Sequence, residues 1–116
     1  MRAKGKAEAF RLLGLARRAG AVMPGMDAAR RAVREGEARL ILMAGDASSV
    51  QLGKIRRLLE NRSIPQAILG DRATLGAAVG AGPVSAVAVT AETFADELQR
   101  RLGPVDDGAA ADDVEE

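Results

Sequence analysis

The amino-acid sequence predicts an α/β chain, a three-layer α/β/α sandwich around a roughly four-stranded mixed sheet. Three observations carry this expectation. One-sided helical stripes alternate with short apolar runs along the body of the chain, the order expected of helices packed on the two faces of a sheet. Two of those runs, Leu40-Ile41-Leu42-Met43-Ala44 and Val84-Ser85-Ala86-Val87-Ala88-Val89, read as interior strands covered on both faces. The third observation is size: 116 residues, 47% hydrophobic and 28% charged, supply one packed core and leave no room for a second.

The elements follow in order. Residues Ala7 to Ala19 set Phe10, Leu12, Leu13, Leu15 and Ala16 on one wide stripe, which is helix one, and Gly20 stands where a C-terminal cap belongs. Gly14 inside that helix is unfavourable by roughly 1 kcal/mol relative to Ala, so a close approach by another element is expected there. Ala21-Val22-Met23 reads as a short strand or an extended link, and Pro24-Gly25 as a turn. Helix two, Met26 to Glu35, places Ala28, Ala29, Ala32 and Val33 on one side. Asp27, Arg30, Arg31 and Arg34 share its other side, with Asp27 and Arg31 one turn apart and able to pair. Gly36 ends this helix, and Leu40 to Ala44 follow as a central strand. Asp46-Ala47-Ser48-Ser49 opens helix three, with Ser48 and Gln51 at capping-box spacing and Leu52, Ile55, Leu58 and Leu59 on its core face. Ile64-Pro65 closes it, Gln66 to Leu69 form a short strand, and Asp71 caps a fourth helix carrying Leu75, Ala78 and Val79. Gly80-Ala81-Gly82-Pro83 breaks that helix ahead of the second buried strand. Thr90 then caps a last helix with Phe94, Leu98 and Leu102 at i, i+4, i+8.

What is missing narrows the function. Without His, Cys, Tyr or Trp there is no Ser-His or Cys-His nucleophile, no imidazole or thiolate metal site and no disulfide framework. No cofactor or metal is implied and no reaction is selected, because Asp27, Asp46, Asp71 and Asp96 fall at helix starts or on polar faces, where capping and solvation explain them. No apolar run of about 18 residues and no signal-like segment is present. The expectation is a soluble cytoplasmic protein with no membrane partner and no small-molecule substrate.

Charge is distributed unevenly. All 17 Lys and Arg but only ten of the 16 Asp and Glu precede Pro104, a surplus of seven positive charges hidden within a formal net charge of +1. The chain therefore divides into a basic domain, residues 1–103, and an acidic tail, residues 104–116, which is expected to be disordered and to compete for the basic face. A basic body suits a polyanionic partner. Arg outnumbers Lys 14 to 3, a bias that a GC-rich genome also produces.

The glycine cluster Gly76 to Gly82 ends a helix and leads into a strand, the reverse of the strand-to-helix order of a dinucleotide fingerprint, so it reads as a turn. The informative segment is Pro24-Gly25-Met26-Asp27-Ala28-Ala29-Arg30-Arg31. A helix N-terminus presents free N–H groups and partial positive charge, and an Arg one turn in can fork onto a guanine edge or a phosphate. Undistorted A-form RNA has too narrow a major groove for such an insertion, so the partner would be a bulged or bent element. Phe10 and Phe94 lie on apolar helical faces and read as core, which argues against recognition by exposed aromatic platforms.

Four segments taken together have a familiar order: Leu12-Leu13-Gly14-Leu15-Ala16-Arg17-Arg18-Ala19-Gly20; Gly25 with a basic residue at Arg31; Ala38-Arg39-Leu40-Ile41-Leu42-Met43-Ala44-Gly45-Asp46-Ala47-Ser48; and Leu75-Gly76 with Val84 to Val89. This order resembles the kink-turn RNA-binding ribosomal protein superfamily, that of the archaeal L-seven-Ae and eukaryotic L-thirty-e proteins, and especially its small bacterial members. The likeness spans roughly Phe10 to Leu102.

The resemblance implies that the second helix enters the widened groove of a kink-turn, a sharply bent duplex with tandem sheared G·A pairs. In the family motif a Gly opens this helix, polar residues follow at the second and third positions after it, and a Lys stands at the sixth. Gly25 and Arg31 match the ends of that motif. Asp27 stands where Asn, Lys or Glu is usual, and Ala28 replaces a Glu or Gln that often contacts a base. The family's second contact, a loop covering a flipped-out nucleotide, corresponds to Gly82-Pro83-Val84-Ser85, with Val84 as its apolar surface. Gly45-Asp46-Ala47 would lie beside the same groove, with Asp46 serving either as a helix cap or as an RNA contact. The implied site is thus Gly25, Met26, Asp27, Arg30, Arg31, Arg34, Asp46, Pro83, Val84 and Ser85. The implied function is non-enzymatic binding of structured RNA, a kink-turn or ribosomal RNA, with the ribosome as a partner. Two further roles fit the same fold: the RNA-capturing partner of an RNA-modifying enzyme, and a protein–protein scaffold.

Overall fold

The structure, a computed structural model, describes residues 3–103. The acidic tail expected at 104–116 lies outside the described residues. Helices and strands alternate as α1 (Ala3–Arg18), β1 (Val22–Pro24), α2 (Met26–Arg34), β2 (Leu40–Met43), α3 (Ser49–Leu59), β3 (Gln66–Ile68), α4 (Arg72–Ala78), β4 (Ala86–Val89) and α5 (Glu92–Leu102). One mixed sheet has the order β1-β4-β2-β3. β4 runs antiparallel to both β1 and β2, and β2 runs parallel to β3.

The two apolar runs become the two interior strands, β2 and β4, each buried at every position. Period-2 alternation then builds both cores. Leu40, Leu42, Val87 and Val89 join the core under α1, α4 and α5, whereas Ile41, Met43, Ala86 and Ala88 join the one under α2 and α3. Alanines dominate the second interface, with Ala29 and Ala32 of α2 facing the Ala86 and Ala88 side of the sheet, so only methyl groups separate helix from strand. Gly14 is a point of close approach as expected: a Cβ there would lie 3.3 Å from the Ala78 carbonyl oxygen of α4. Phe10 and Phe94 pack, partly buried, against the first core.

Three of the local signals hold. Ser48 caps α3 by accepting from the Gln51 N–H at 3.1 Å, and Asp71 caps α4 by accepting from the Thr74 N–H at 2.8 Å. Gly36, at φ +74°, ends α2 with its own N–H on the Val33 carbonyl at 3.1 Å and the Glu37 N–H on the Ala32 carbonyl at 2.9 Å. This is a left-handed C-terminal cap.

Elsewhere the structure corrects the expectation. Helix one begins at Ala3 rather than Ala7. Pro24 is the last residue of β1, paired with Val87, and not part of a turn; β1 is an edge strand, where a missing N–H is tolerated. Thr90 does not cap α5, because its N–H extends the sheet by donating to the Ala21 carbonyl at 2.9 Å, and the capping position falls on Ala91 without a side-chain bond. The last strand starts at Ala86 and not Val84, whose N–H is drawn instead to the Arg72 carbonyl at 3.1 Å. Asp27 approaches Arg30, at 3.9 Å, rather than Arg31.

This topology gathers four connections at one end of the sheet, where β1, β2 and β3 finish and β4 begins. Among the described residues no helix is long and apolar enough to cross a membrane, and no cluster of His, Cys, Asp or Glu could hold a metal ion.

Candidate nucleic-acid interface

The candidate interface is assembled by backbone bonds between those four connections. Gly25 adopts φ 99° and ψ 154°, a conformation that L side chains rarely reach. Its N–H donates to the Ala86 carbonyl at 2.9 Å, which fastens the start of α2 to the start of β4. Ser85 is therefore next along the chain from the residue that holds Gly25, and its own carbonyl accepts the Ala44 N–H at 3.0 Å. The Gly45 N–H reaches the Gly70 carbonyl at 2.7 Å, linking the β2–α3 turn to the β3–α4 turn.

The start of α2 has no side-chain cap. The amides of its first turn, Met26, Asp27 and Ala28, thus lack the partner that Ser48 and Asp71 give to α3 and α4, and they present the positive end of the helix dipole. Apart from Gly25 itself and its two chain neighbours, no atom lies within 4 Å of where a Gly25 Cβ would stand, so an approaching group can come close to the backbone. Met26 is half-buried against the α2/α3 core, whereas Asp27 and Arg31 are exposed.

Arg30 is in an unusual position. Its side chain is 31% exposed, yet its Nε is shielded from solvent with no acceptor. Its nearest carboxylate, the exposed Asp27, lies 3.9 Å from Nη1 and contributes little. A cation with an unmet donor sits beside the open helix end, and such a donor costs about 1–3 kcal/mol until an acceptor arrives.

Asp46 caps neither α3 nor empty space. Its Oδ1 accepts the Arg72 N–H at 2.8 Å and lies 3.7 Å from Arg72 Nε, so it braces the start of α4 from the β2–α3 turn. Asp71 completes that corner, and the Thr74 N–H bonded to its carboxylate holds its pKa below the usual 3.8. Pro83 is exposed, and Val84 is half-buried against the first core with part of its surface left outward. The backbone of this loop rests on α4: a Cβ on Gly76 would fall 1.9 Å from the Gly82 carbonyl oxygen.

Nine of the ten sequence-derived residues therefore lie at or within about two helical turns of one sheet end. Arg34, some 13 Å along the α2 axis from Gly25 at 1.5 Å per residue, lies one turn beyond Arg30 and Arg31. Sequence reasoning missed Arg72, which joins Asp46 to Val84 through its own backbone and has no local signal beyond following a capping Asp. It also missed Ile68, 42% exposed at the end of β3 beside Gly45.

These features define a class, a small α/β/α sandwich that gathers an uncapped helix start and two arginines at one end of its sheet. More particularly, the chain belongs to the ribosomal protein L7Ae/L30e/S12e/Gadd45 family, whose sequence profile matches residues 7–99. It is similar to the RNA-binding protein YlxQ of Bacillus subtilis (strain 168), with 37% identity over 91 residues that cover 78% of this chain and 91% of that protein. Among solved structures it is similar to a Bacillus halodurans C protein of unknown function, with TM-score 0.77 and 28% identity over 83% of this chain and 97% of the other. It also resembles a Giardia lamblia 15.5kD RNA binding protein, with TM-score 0.73 and 18% identity over 88% of each chain, a likeness that bears on the fold alone.

Proposed function

We propose that this chain binds structured RNA at the sheet end, without catalysis, and that its target is a kink-turn or a similarly bent element of ribosomal RNA. The observation that carries this reading is the bond from Gly25 to Ala86, which places an uncapped helix start one residue from the Pro83–Ser85 loop. A single bent RNA can then meet both. The family, and the RNA-binding activity in the name of the Bacillus subtilis relative, support it.

In this reading the free amides of Met26, Asp27 and Ala28 face an RNA oxygen. Gly25 admits the close approach, and Arg30 and Arg31 contact base edges or phosphates. Val84 packs on an unstacked base beside Pro83 and Ser85. Asp46 positions Arg72 and the loop rather than reading a base, and Arg34 adds charge along the flank. The bend in the RNA matters because only a widened groove admits a helix end. The chain would act in the cytoplasm, on the ribosome or its RNA.

A gel-shift titration tests this with a kink-turn RNA and a copy whose G·A pairs are replaced by Watson–Crick pairs. The expected outcome is preference for the kinked RNA and a loss of about 1–3 kcal/mol for Arg31→Ala if the Arg31 contact is bidentate. Equal affinity for the two RNAs would refute kink recognition, and an unchanged Arg31→Ala would remove that residue from the site.

A further inference from the structure

We infer that the outer face of α3, centred on Gly53, seats the sugar–phosphate backbone of a duplex arm that flanks the RNA element held at the sheet end. This rests on the RNA binding proposed above. Gly53 lies within α3, where glycine is less favourable than alanine. Packing does not require it. A Cβ there would meet only the tip of Arg57, at an ordinary 3.8 Å, whereas Cβ atoms on Gly14 and Gly76 would abut carbonyl oxygens at 3.3 and 1.9 Å. Its φ also lies outside the left-handed region, so alanine would fit without strain. The helix backbone at Gly53 is thus half-exposed, with only the mobile end of the Arg57 side chain over it.

The residues around the strip suit a nucleic-acid backbone. Val50, Lys54 and Arg57 recur at i, i+4, i+7 and so share one side of α3. Val50 is 68% exposed, the most exposed large aliphatic side chain among the described residues. Lys54 and Arg57 are exposed, and among the described residues neither has a carboxylate at ion-pair distance, whereas Arg100 and Arg101 of α5 are both paired with Glu97. α3 begins at the same sheet end as α2. The row therefore leads away from the proposed site, with Val50 nearest and the two cations roughly 6 and 10 Å further along the axis. An RNA arm leaving the sheet end over α3 would lay sugars on Val50 and phosphates on Lys54 and Arg57, with Gly53 giving clearance.

The test uses the full chain and two RNAs with the same kinked element, one with a flanking stem a full helical turn long and one with that stem trimmed back. Wild-type protein should prefer the long-arm RNA and show the steeper dependence of log K on log salt. Lys54→Gln with Arg57→Gln should lower that slope by about 1.5 to 2 on the long-arm RNA and change nothing on the trimmed one. Lys54→Arg with Arg57→Lys should keep it. Gly53→Ala should raise Tm and still weaken long-arm binding several-fold. The inference is overturned if the glutamine and alanine variants match wild type on the long-arm RNA, or if they lose equally on both RNAs. A protein partner on this face would also leave the RNA salt slope untouched and overturn it. If Arg31→Ala still weakens the trimmed RNA while the α3 variants are silent, only the α3 seat fails. If wild type binds neither RNA, both readings fail.

Discussion

Gly76→Ala adds one methyl group in the tightest place among the described glycines. The new Cβ would lie 1.9 Å from the Gly82 carbonyl oxygen, 2.7 Å from its carbon and 3.2 Å from the Pro83 Cα, all backbone atoms. Ordinary contact needs more than about 1 Å of relief, and α4 has little freedom to provide it. Leu75 beside it is fully buried, and α1 presses from another side, where the Gly14 Cβ position stands 3.3 Å from the Ala78 carbonyl. The loop must therefore move, straining the Val84 N–H bond to Arg72. Overpacking costs about 1–3 kcal/mol and a weakened hydrogen bond about 0.5–1.5, against a helix-propensity gain of about 1. The net is a loss of about 2 kcal/mol, which lowers Tm by roughly 8–16 °C in a domain of this size. Thermal and denaturant unfolding monitored by circular dichroism measure it. The same substitution at Gly53 should move Tm the other way, so a Gly76→Ala protein as stable as wild type would refute the packing argument. Because the displaced loop carries Val84, RNA affinity should fall in parallel.

Two further outcomes follow from single groups. Arg30→Met keeps the aliphatic stem and removes the buried, unpartnered Nε, so the unfolding free energy should hold or rise by up to about 1 kcal/mol while RNA binding weakens. Urea unfolding decides this, and a loss above about 1 kcal/mol would mean that the guanidinium is satisfied. The Asp71 carboxylate is held below its usual 3.8 by the Thr74 N–H, so its capping contributes fully above the unfolded-state pKa and is lost as pH falls through the lower folded value. Asp71→Asn should therefore flatten the decline of stability as pH falls below about 4. Identical pH profiles would show that the cap carries no linkage.

Determined by the sequence alone were several features that neighbouring residues settle among themselves, though not the Thr90 cap or the Asp27–Arg31 pair. Ser48 and Asp71 cap helices because their acceptors lie three residues away, and Gly36 ends α2 because only a few φ angles are involved. The β2 and β4 runs read as interior strands because burial on both faces removes polar alternation, and the bare helix start after Gly25 was legible from the missing side chain. Only the tertiary structure decided what distant segments do to one another. The order β1-β4-β2-β3 makes Pro24 an edge residue. Asp46 braces Arg72 across 26 residues, although its place ahead of α3 reads locally as a cap. Gly14, Gly53 and Gly76 are the same residue type inside helices, yet two adjoin another segment's carbonyl and one meets only the end of a side chain of its own helix. Periodicity and capping are short-range properties of one chain segment, whereas clearance and long-range hydrogen bonding depend on which backbone arrives from elsewhere.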